Sequence, residues 1–224
     1  RLVKNTKDSI NLSLGIEKGV AATKTFTGQI AILNLMSFCF TEGSKVTIPK
    51  LDSDYKTFFN VEEEVKRIAE KFYKAKNFFI LGRNFTYPVA LEAALKIKEI
   101  SYIHSEGSLS SEMKHGPIAL LDNNFPVLYL LSNDKSTVLK EIMNLYEAHT
   151  RSKKIILFAS ADSIELIDPE FLSQIEFISI PEKTPSVLPL YFTLLAQLLS
   201  YHLAKLNNLS IDQPRNLAKV VTVA

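Results

Sequence analysis

Four short apolar runs punctuate the second part of the chain: Phe78-Phe79-Ile80-Leu81, Pro126 to Leu131, Lys154 to Phe158, and Ile175 to Ile180. The first ends at Gly82, the second at Ser132-Asn133-Asp134 and the last at Pro181, and Ser160-Ala161-Asp162 follows the third. Runs that stay apolar at successive positions are strands buried on both faces. Helical patterns separate them. A charged amphipathic stretch covers 55–74, an Ala/Leu/Lys/Glu helix follows Tyr87-Pro88, another spans 136–150, and a long one covers 186–206 with Pro189 in its first turn. This alternation predicts an α/β fold with a parallel sheet flanked by helices on both faces.

The pattern differs towards the ends. Residues 23–41 read as a helix that is apolar almost all round, with Thr23 a fair N-cap. Ahead of it lies one β-like run, Ile10 to Leu14, ending at Gly15 and Gly19. The segment Glu42 to Asp54, with Gly43 and Pro49, reads as a boundary, and what precedes it is too short to be a domain. The last eighteen residues, NNLSIDQPRNLAKVVTVA, follow neither period and read as a frayed terminus in which Lys219 is merely solvated.

Composition narrows the function classes. At 224 residues the chain could hold one large domain or one and a half ordinary ones, and 46% hydrophobic against 22% charged residues supports a sizeable core. A net charge of +2, with lysines scattered among 24 acids, excludes a basic nucleic-acid surface. The single Cys39, in an apolar run, rules out a disulfide framework or thiolate zinc site and reads as a buried, inert thiol. No Asp/His cluster has zinc spacing, and no GxGxxG or Walker-type loop is present, so no metal, nucleotide or other cofactor is expected. No stretch reaches the roughly 18 apolar residues of a membrane helix, and the N-terminus lacks a signal peptide's hydrophobic segment. The expectation is a soluble, cytoplasmic protein. Because the chain begins at Arg1, without a strand or cap resembling a domain start, it also reads as part of something longer.

Candidate chemistry concentrates in Leu91 to Leu121, LEAALKIKEISYIHSEGSLSSEMKHGPIALL. At about 100° per residue, Glu92, Lys96 and Glu99 fall within roughly 60° of one another, while Ala90, Ala94, Leu91 and Leu95 share another face. The stripe is either an exposed helical ion-pair set or a functional one. A Ser-rich turn, Ser105 to Ser111, follows, and then Glu112-Met113-Lys114-His115-Gly116-Pro117 brings an imidazole to a sharp reversal. His104 reads as a helix cap or a core histidine facing a carboxylate, and His149 and His202 as surface or core residues. The strand-end segments Gly82-Arg83-Asn84, Ser132-Asn133-Asp134 and Ser160-Ala161-Asp162 either cap helices or receive a compact anion such as phosphate.

The segment LEAALKIKEISYIHSEGSLSSEMKHGPIALLD, together with the terminal DQPRNLAKVVTV and the early GIEKGVAATKTFTGQ, closely resembles the sugar-isomerase half of the glutamine:fructose-6-phosphate aminotransferase family. That resemblance implies a three-layer α-β-α sugar-isomerase (SIS) fold followed by an irregular tail closing over the active site. It divides the chain into 1–48, the end of a first SIS domain, 49–206, a second, and 207–224, the tail. It implies conversion of fructose 6-phosphate and ammonia to glucosamine 6-phosphate. By the same resemblance Lys219 forms a Schiff base, Glu99 moves the proton between C1 and C2, Lys96 assists with Glu92 orienting it, and His115 of a second subunit opens the ring. Val20, Ala22, Thr23 and Ala218 match sugar-binding positions. Ala22 stands where the family has Ser, which removes one hydroxyl contact to the sugar, and Ala224 stands where the family usually has Glu. The implied partners are the sugar phosphate, a second copy in a homodimer, and an N-terminal glutaminase domain supplying ammonia. Neither that domain nor the family's Ser/Thr-rich phosphate loop lies in this sequence, so weak or no isomerisation is expected of the chain alone. The alternatives are a non-catalytic phosphosugar-binding module, which would bind without exchanging the C1 hydrogen, and a related sugar-phosphate isomerase or deglycase.

Overall fold

The computed structural model describes residues 7–42, 55–181 and 184–219. Five strands, β1 (Asn77–Gly82), β2 (His104–Leu109), β3 (Val127–Leu130), β4 (Ile155–Ser160) and β5 (Glu176–Ile180), form one sheet in the order β2-β1-β3-β4-β5. Every neighbouring pair is parallel. The long helices are α1 (Lys24–Glu42), α2 (Tyr55–Phe72), α3 (Tyr87–Lys96), α4 (Val138–Arg151) and α7 (Leu188–Leu206), with two single-turn helices, α5 (Ala161–Ile164) and α6 (Pro169–Leu172), between β4 and β5.

The unbroken apolar runs are explained by burial on both sides. Phe78, Ile80, Leu128, Leu130, Ile156 and Phe158 point into a core shared with α2, α3 and α7. The alternate residues Phe79, Leu81, Val127, Tyr129, Ile155 and Leu157 point the other way, into a core completed by Val138, Ile142 and Leu145 of α4. This is the expected three-layer α-β-α arrangement.

The edge strand β2 departs from expectation, occupying most of what reads as a Ser-rich turn. Its sequence, HSEGSL, lacks an apolar run because only one strand, β1, pairs with it and part of its surface stays open. Its polar groups are satisfied by the helix above: the Ser105 hydroxyl donates to the carbonyl of Ala94 at 2.7 Å. At Gly107 an added Cβ would lie 2.6 Å from the Ala90 carbonyl oxygen, so this glycine lets α3 lie directly on the strand.

Other local readings also change. Residues 10–14 form no strand. Cys39 is exposed rather than buried, because α1 turns Ile30, Ala31 and Phe38 towards the main core and leaves the thiol outside that contact. Leu91 and Leu95 are exposed, although Ala90 and Ala94 are fully packed. The boundary residues 43–54 lie outside the described residues. Pro88 and Pro189 sit in first helical turns as expected. Among the described residues no helix is long and apolar enough to cross a membrane.

Candidate active site

Helix α3 does not end as a regular helix. Ile97–Ser101 continue it as one π-helical turn, closed by Tyr102 in a left-handed conformation with φ 58°. Such wide turns shift the side chains that follow and concentrate at functional sites. Here the turn carries Glu99 past the end of α3 while leaving it beside Lys96.

The Lys96 side chain is only 3% exposed. Its Nζ forms a close ion pair with Glu99 Oε2 and lies 3.5 Å from Glu92 Oε1. The polar stripe is therefore a triad built on a buried lysine with two partly buried carboxylates, and not a solvated surface pair. Burial pushes the Glu92 carboxyl above the usual carboxylate range, against the pull of the Lys96 charge. Lys96 stands in the wall of a cleft of about 350 Å³, with Ile100 beside it, Ser200 and Tyr201 contributed by α7, and Glu17 and Asp212 by the N-terminal segment and the tail.

Glu17 organises the far side. It accepts hydrogen bonds from the Thr25 hydroxyl at 2.7 Å, from Thr23 N–H at 2.8 Å and from Thr25 N–H at 3.4 Å. The start of α1 is thus capped by an upstream carboxylate, and the Thr23 hydroxyl itself turns towards Glu17, 3.5 Å away. Burial alone would raise the Glu17 carboxyl, but these bonds and one from Lys219 hold it down at about 2.

The tail is docked rather than frayed. Val20 N–H donates to the Asp212 carbonyl at 2.9 Å. Arg215 N–H donates to the Tyr102 hydroxyl at 2.7 Å, and the guanidinium carbon lies 4.3 Å from the Tyr102 ring centroid. Lys219 Nζ donates to the Gly19 carbonyl at 2.7 Å and to Glu17 Oε2 at 3.1 Å.

The structure brings together most, but not all, of the residues singled out in the sequence. Lys96 and Thr23 line the cleft, and Lys219 bonds to two residues of its rim. Val20 ties the N-terminal segment to the tail, Ala22 is half-buried beside it, and Ala218 is exposed next to Lys219. Glu99 faces a neighbouring groove of about 390 Å³, shared with Leu95, Tyr102, Arg215 and Leu217, and reaches the cleft through Lys96. His115 is exposed in the short turn Met113–His115 and lines neither cavity. His104 is exposed at the start of β2, neither a helix cap nor a core residue, since the chain has already passed into the edge strand. His149 and His202 are buried. Glu17, Asp212 and Tyr102 escaped the sequence reading. An acid six and eight residues ahead of two threonines at a helix start is the one signal that could have found Glu17.

Two of the three strand-end segments are tied to each other. The order of strands reverses between β1 and β3, where such sheets usually bind ligands. Here Asn84 Nδ2 donates to Asp134 Oδ2 at 3.0 Å and lies 3.3 Å from Thr137 Oγ1, bridging the two loops.

A family model described as the SIS domain matches residues 71–206. The chain belongs to the SIS domain family. It is 41% identical over 219 residues to the glutamine–fructose-6-phosphate aminotransferase (isomerizing) of Chlorobaculum tepidum, a match covering 93% of this chain and 35% of the relative. Identity is likewise 41% over 218 residues with the enzyme of the same name from Aquifex aeolicus, covering 96% and 36%. The chain thus spans about a third of the length of the curated relatives it matches. Among solved structures, it superposes on the C-terminal domain of glucosamine-fructose-6-phosphate aminotransferase from Francisella tularensis with a TM-score of 0.82 and 32% identity, covering 95% of this chain and 62% of the other. A glucosamine-6-phosphate deaminase from Thermotoga maritima, at 20% identity and a TM-score of 0.70, shares the fold, with 99% and 63% covered. This SIS chain is therefore homologous to the isomerase part of the aminotransferases.

Proposed function

We propose that this chain is the isomerase portion of an aminotransferase that converts fructose 6-phosphate and ammonia to glucosamine 6-phosphate. The observation that carries the reading is the juxtaposition of two lysines of different kinds. Lys96 is locked between two carboxylates in the wall of the cleft, and Lys219 is delivered to its rim by the tail. The homology to aminotransferases supports the substrate and product.

In this reading the neutral amine of Lys219 attacks C2 of the open-chain ketose, and water leaves as the imine forms. Ammonia then displaces the lysine from C2. Transfer of a proton from C1 to C2 converts the resulting ketimine to the 2-amino aldose, so the sum is ketose phosphate plus ammonia giving amino sugar phosphate plus water. Glu99 is the group that carries the proton, from the groove that meets the cleft at Lys96, and Lys96, paired on its other side with Glu92, holds the Glu99 carboxylate in place. His115, exposed and outside the cleft of its own chain, serves ring opening in the site of a second copy. The active unit is a homodimer in the cytoplasm, with ammonia supplied by a glutaminase domain. Residues 1–48 close a first SIS domain, 49–206 form a second, and 207–224 are the tail.

The test is a chimera in which this chain replaces the matching part of the Chlorobaculum tepidum relative, assayed for glucosamine 6-phosphate. Product should form, and Glu99→Gln and Lys219→Met should each lower its rate by about a hundredfold or more. A folded chimera that binds fructose 6-phosphate without forming product or exchanging its C1 hydrogen would sink the catalytic reading in favour of a binding module.

A further inference from the structure

Glu17 does more than cap α1. One carboxylate oxygen takes the backbone donors of Thr23 and Thr25, and the other takes the Thr25 hydroxyl and Lys219 Nζ. The carboxylate is therefore fixed at three points by the chain that carries it, with its remaining capacity offered to a lysine more than two hundred positions away. Lys219 has a second acceptor, the carbonyl of Gly19, whose Cα leaves so little room that an added Cβ would lie 3.3 Å from Asp212 Oδ1 of the tail. A flexible four-carbon side chain at the end of an irregular tail gains a defined position only from such anchors.

We propose that Glu17 is a positioning residue for Lys219: with Gly19 it holds the lysine nitrogen at the cleft rim, where the carbonyl carbon of a ketose phosphate meets it. The inference rests on the Schiff-base reading above. It adds that the sugar-free chain keeps this amine docked as an ion-pair partner, which slows its reaction with small electrophiles. Glu17 does not take the amine's proton. A carboxyl held at about 2 is too weak a base, so Glu17 fixes the place of attack and the proton leaves by another route.

A positioning role predicts two opposite changes in Glu17→Gln. In this chain, reductive methylation by formaldehyde and cyanoborohydride, read lysine by lysine by peptide mass spectrometry, should reach Lys219 about threefold faster than in the native chain. Lys24 is the internal control, since its Nζ is held by the Ile16 carbonyl at 2.6 Å and does not touch Glu17. Its rate should stay unchanged. In the chimera, borohydride trapping of the fructose 6-phosphate imine on Lys219 should instead fall about tenfold, because the amine is released but misplaced. If Lys24 and Lys219 accelerate together, Glu17 merely holds its segment and the proposal is overturned. It is equally overturned if neither accelerates. Should Glu17→Gln not fold, Glu17→Asp, which withdraws the carboxylate by one methylene, reads the same two rates. If methylation behaves as predicted but no imine is trapped on Lys219 even in the native chimera, the ion pair stands and the aminotransferase reading fails.

Discussion

Two polar clusters among the described residues each bury a charged side chain, Glu141 in one and Lys96 in the other, and they are built on different plans. The first sits at the carboxyl ends of β1 and β3, where the strand order reverses. Asn84 bridges Asp134 and Thr137, the Thr137 hydroxyl donates to Glu141 Oε1 at 3.2 Å, and the Tyr129 hydroxyl donates to the Glu141 carbonyl at 3.0 Å. These groups bond mainly to one another, although Glu141 Oε2 is buried with no hydrogen-bond partner. The second cluster surrounds the cleft, where Lys96, backed by Glu92, and Glu17 stand around about 350 Å³ of space and the tail docks at the rim. Burial of charge is common to both. What separates them is room: the first is tied from the surface at Asn84 down to the buried Glu141 by its own side chains, whereas charges arranged around space retain capacity for a ligand.

The sharpest way to break this comparison is Lys96→Met. It would leave Glu92 and Glu99 facing each other with no cation between them, and should destabilise the chain by about 3 to 5 kcal/mol at neutral pH in denaturant titration. The loss should shrink at lower pH as Glu92, already raised by burial, takes up a proton. A neutral effect would mean that the triad is no more demanding than a surface pair.

At the first cluster, burial pushes the Glu141 carboxyl up to about 7, against the Thr137 hydroxyl, the Ser132 N–H and the Arg83 charge. A folded-state value above the unfolded 4.5 means that the proton is held more tightly in the native state. The contribution is complete below pH 4.5 and is lost as pH rises through 7. Over that window Glu141 should cost the native chain about 3 kcal/mol, and Glu141→Gln should flatten that part of the pH–stability curve. An unchanged curve would remove Glu141 from the buried network.

Gly107→Ala tests what places the second cluster. A methyl group there would meet the Ala90 carbonyl and push α3 from β2, costing about 2 kcal/mol by thermal unfolding and displacing Lys96 with the helix. The smallest effect belongs to Tyr102→Phe. It keeps the ring under Arg215 but removes the acceptor of the Arg215 N–H, so tail docking should weaken by about 1 kcal/mol, seen as faster proteolysis beyond residue 206 with an unchanged melting temperature.

Much of the fold was legible before any coordinates. Strands buried on both faces are apolar at every position, so β1, β3 and β4 announce themselves, whereas β5, the other edge of the sheet, shows only through Phe177, Ile178 and Ile180 around Glu176 and the exposed Ser179. The edge strand β2 could not, because HSEGSL carries no apolar run and its buried Ser105 is satisfied by a carbonyl of α3. The stripe Glu92, Lys96 and Glu99 follows from helical periodicity, and the resemblance of DQPRNLAK to a known tail singled out Lys219. That the lysine of the stripe is buried was not legible, since the same spacing serves a solvated ion pair equally well.

The sequence by itself determined the class of fold, the positions of most elements and the short list of residues able to do carbonyl chemistry. These depend on local periodicity and on residue type, which a linear chain displays in full. Only the tertiary structure decided that Asn84 and Asp134 bond to each other across the switch point, that Glu99, on a π turn, faces the groove beside the cleft, and that Glu17 meets Lys219. Those outcomes depend on which distant groups compete for the same donors and the same space, and that competition begins only when the chain has folded.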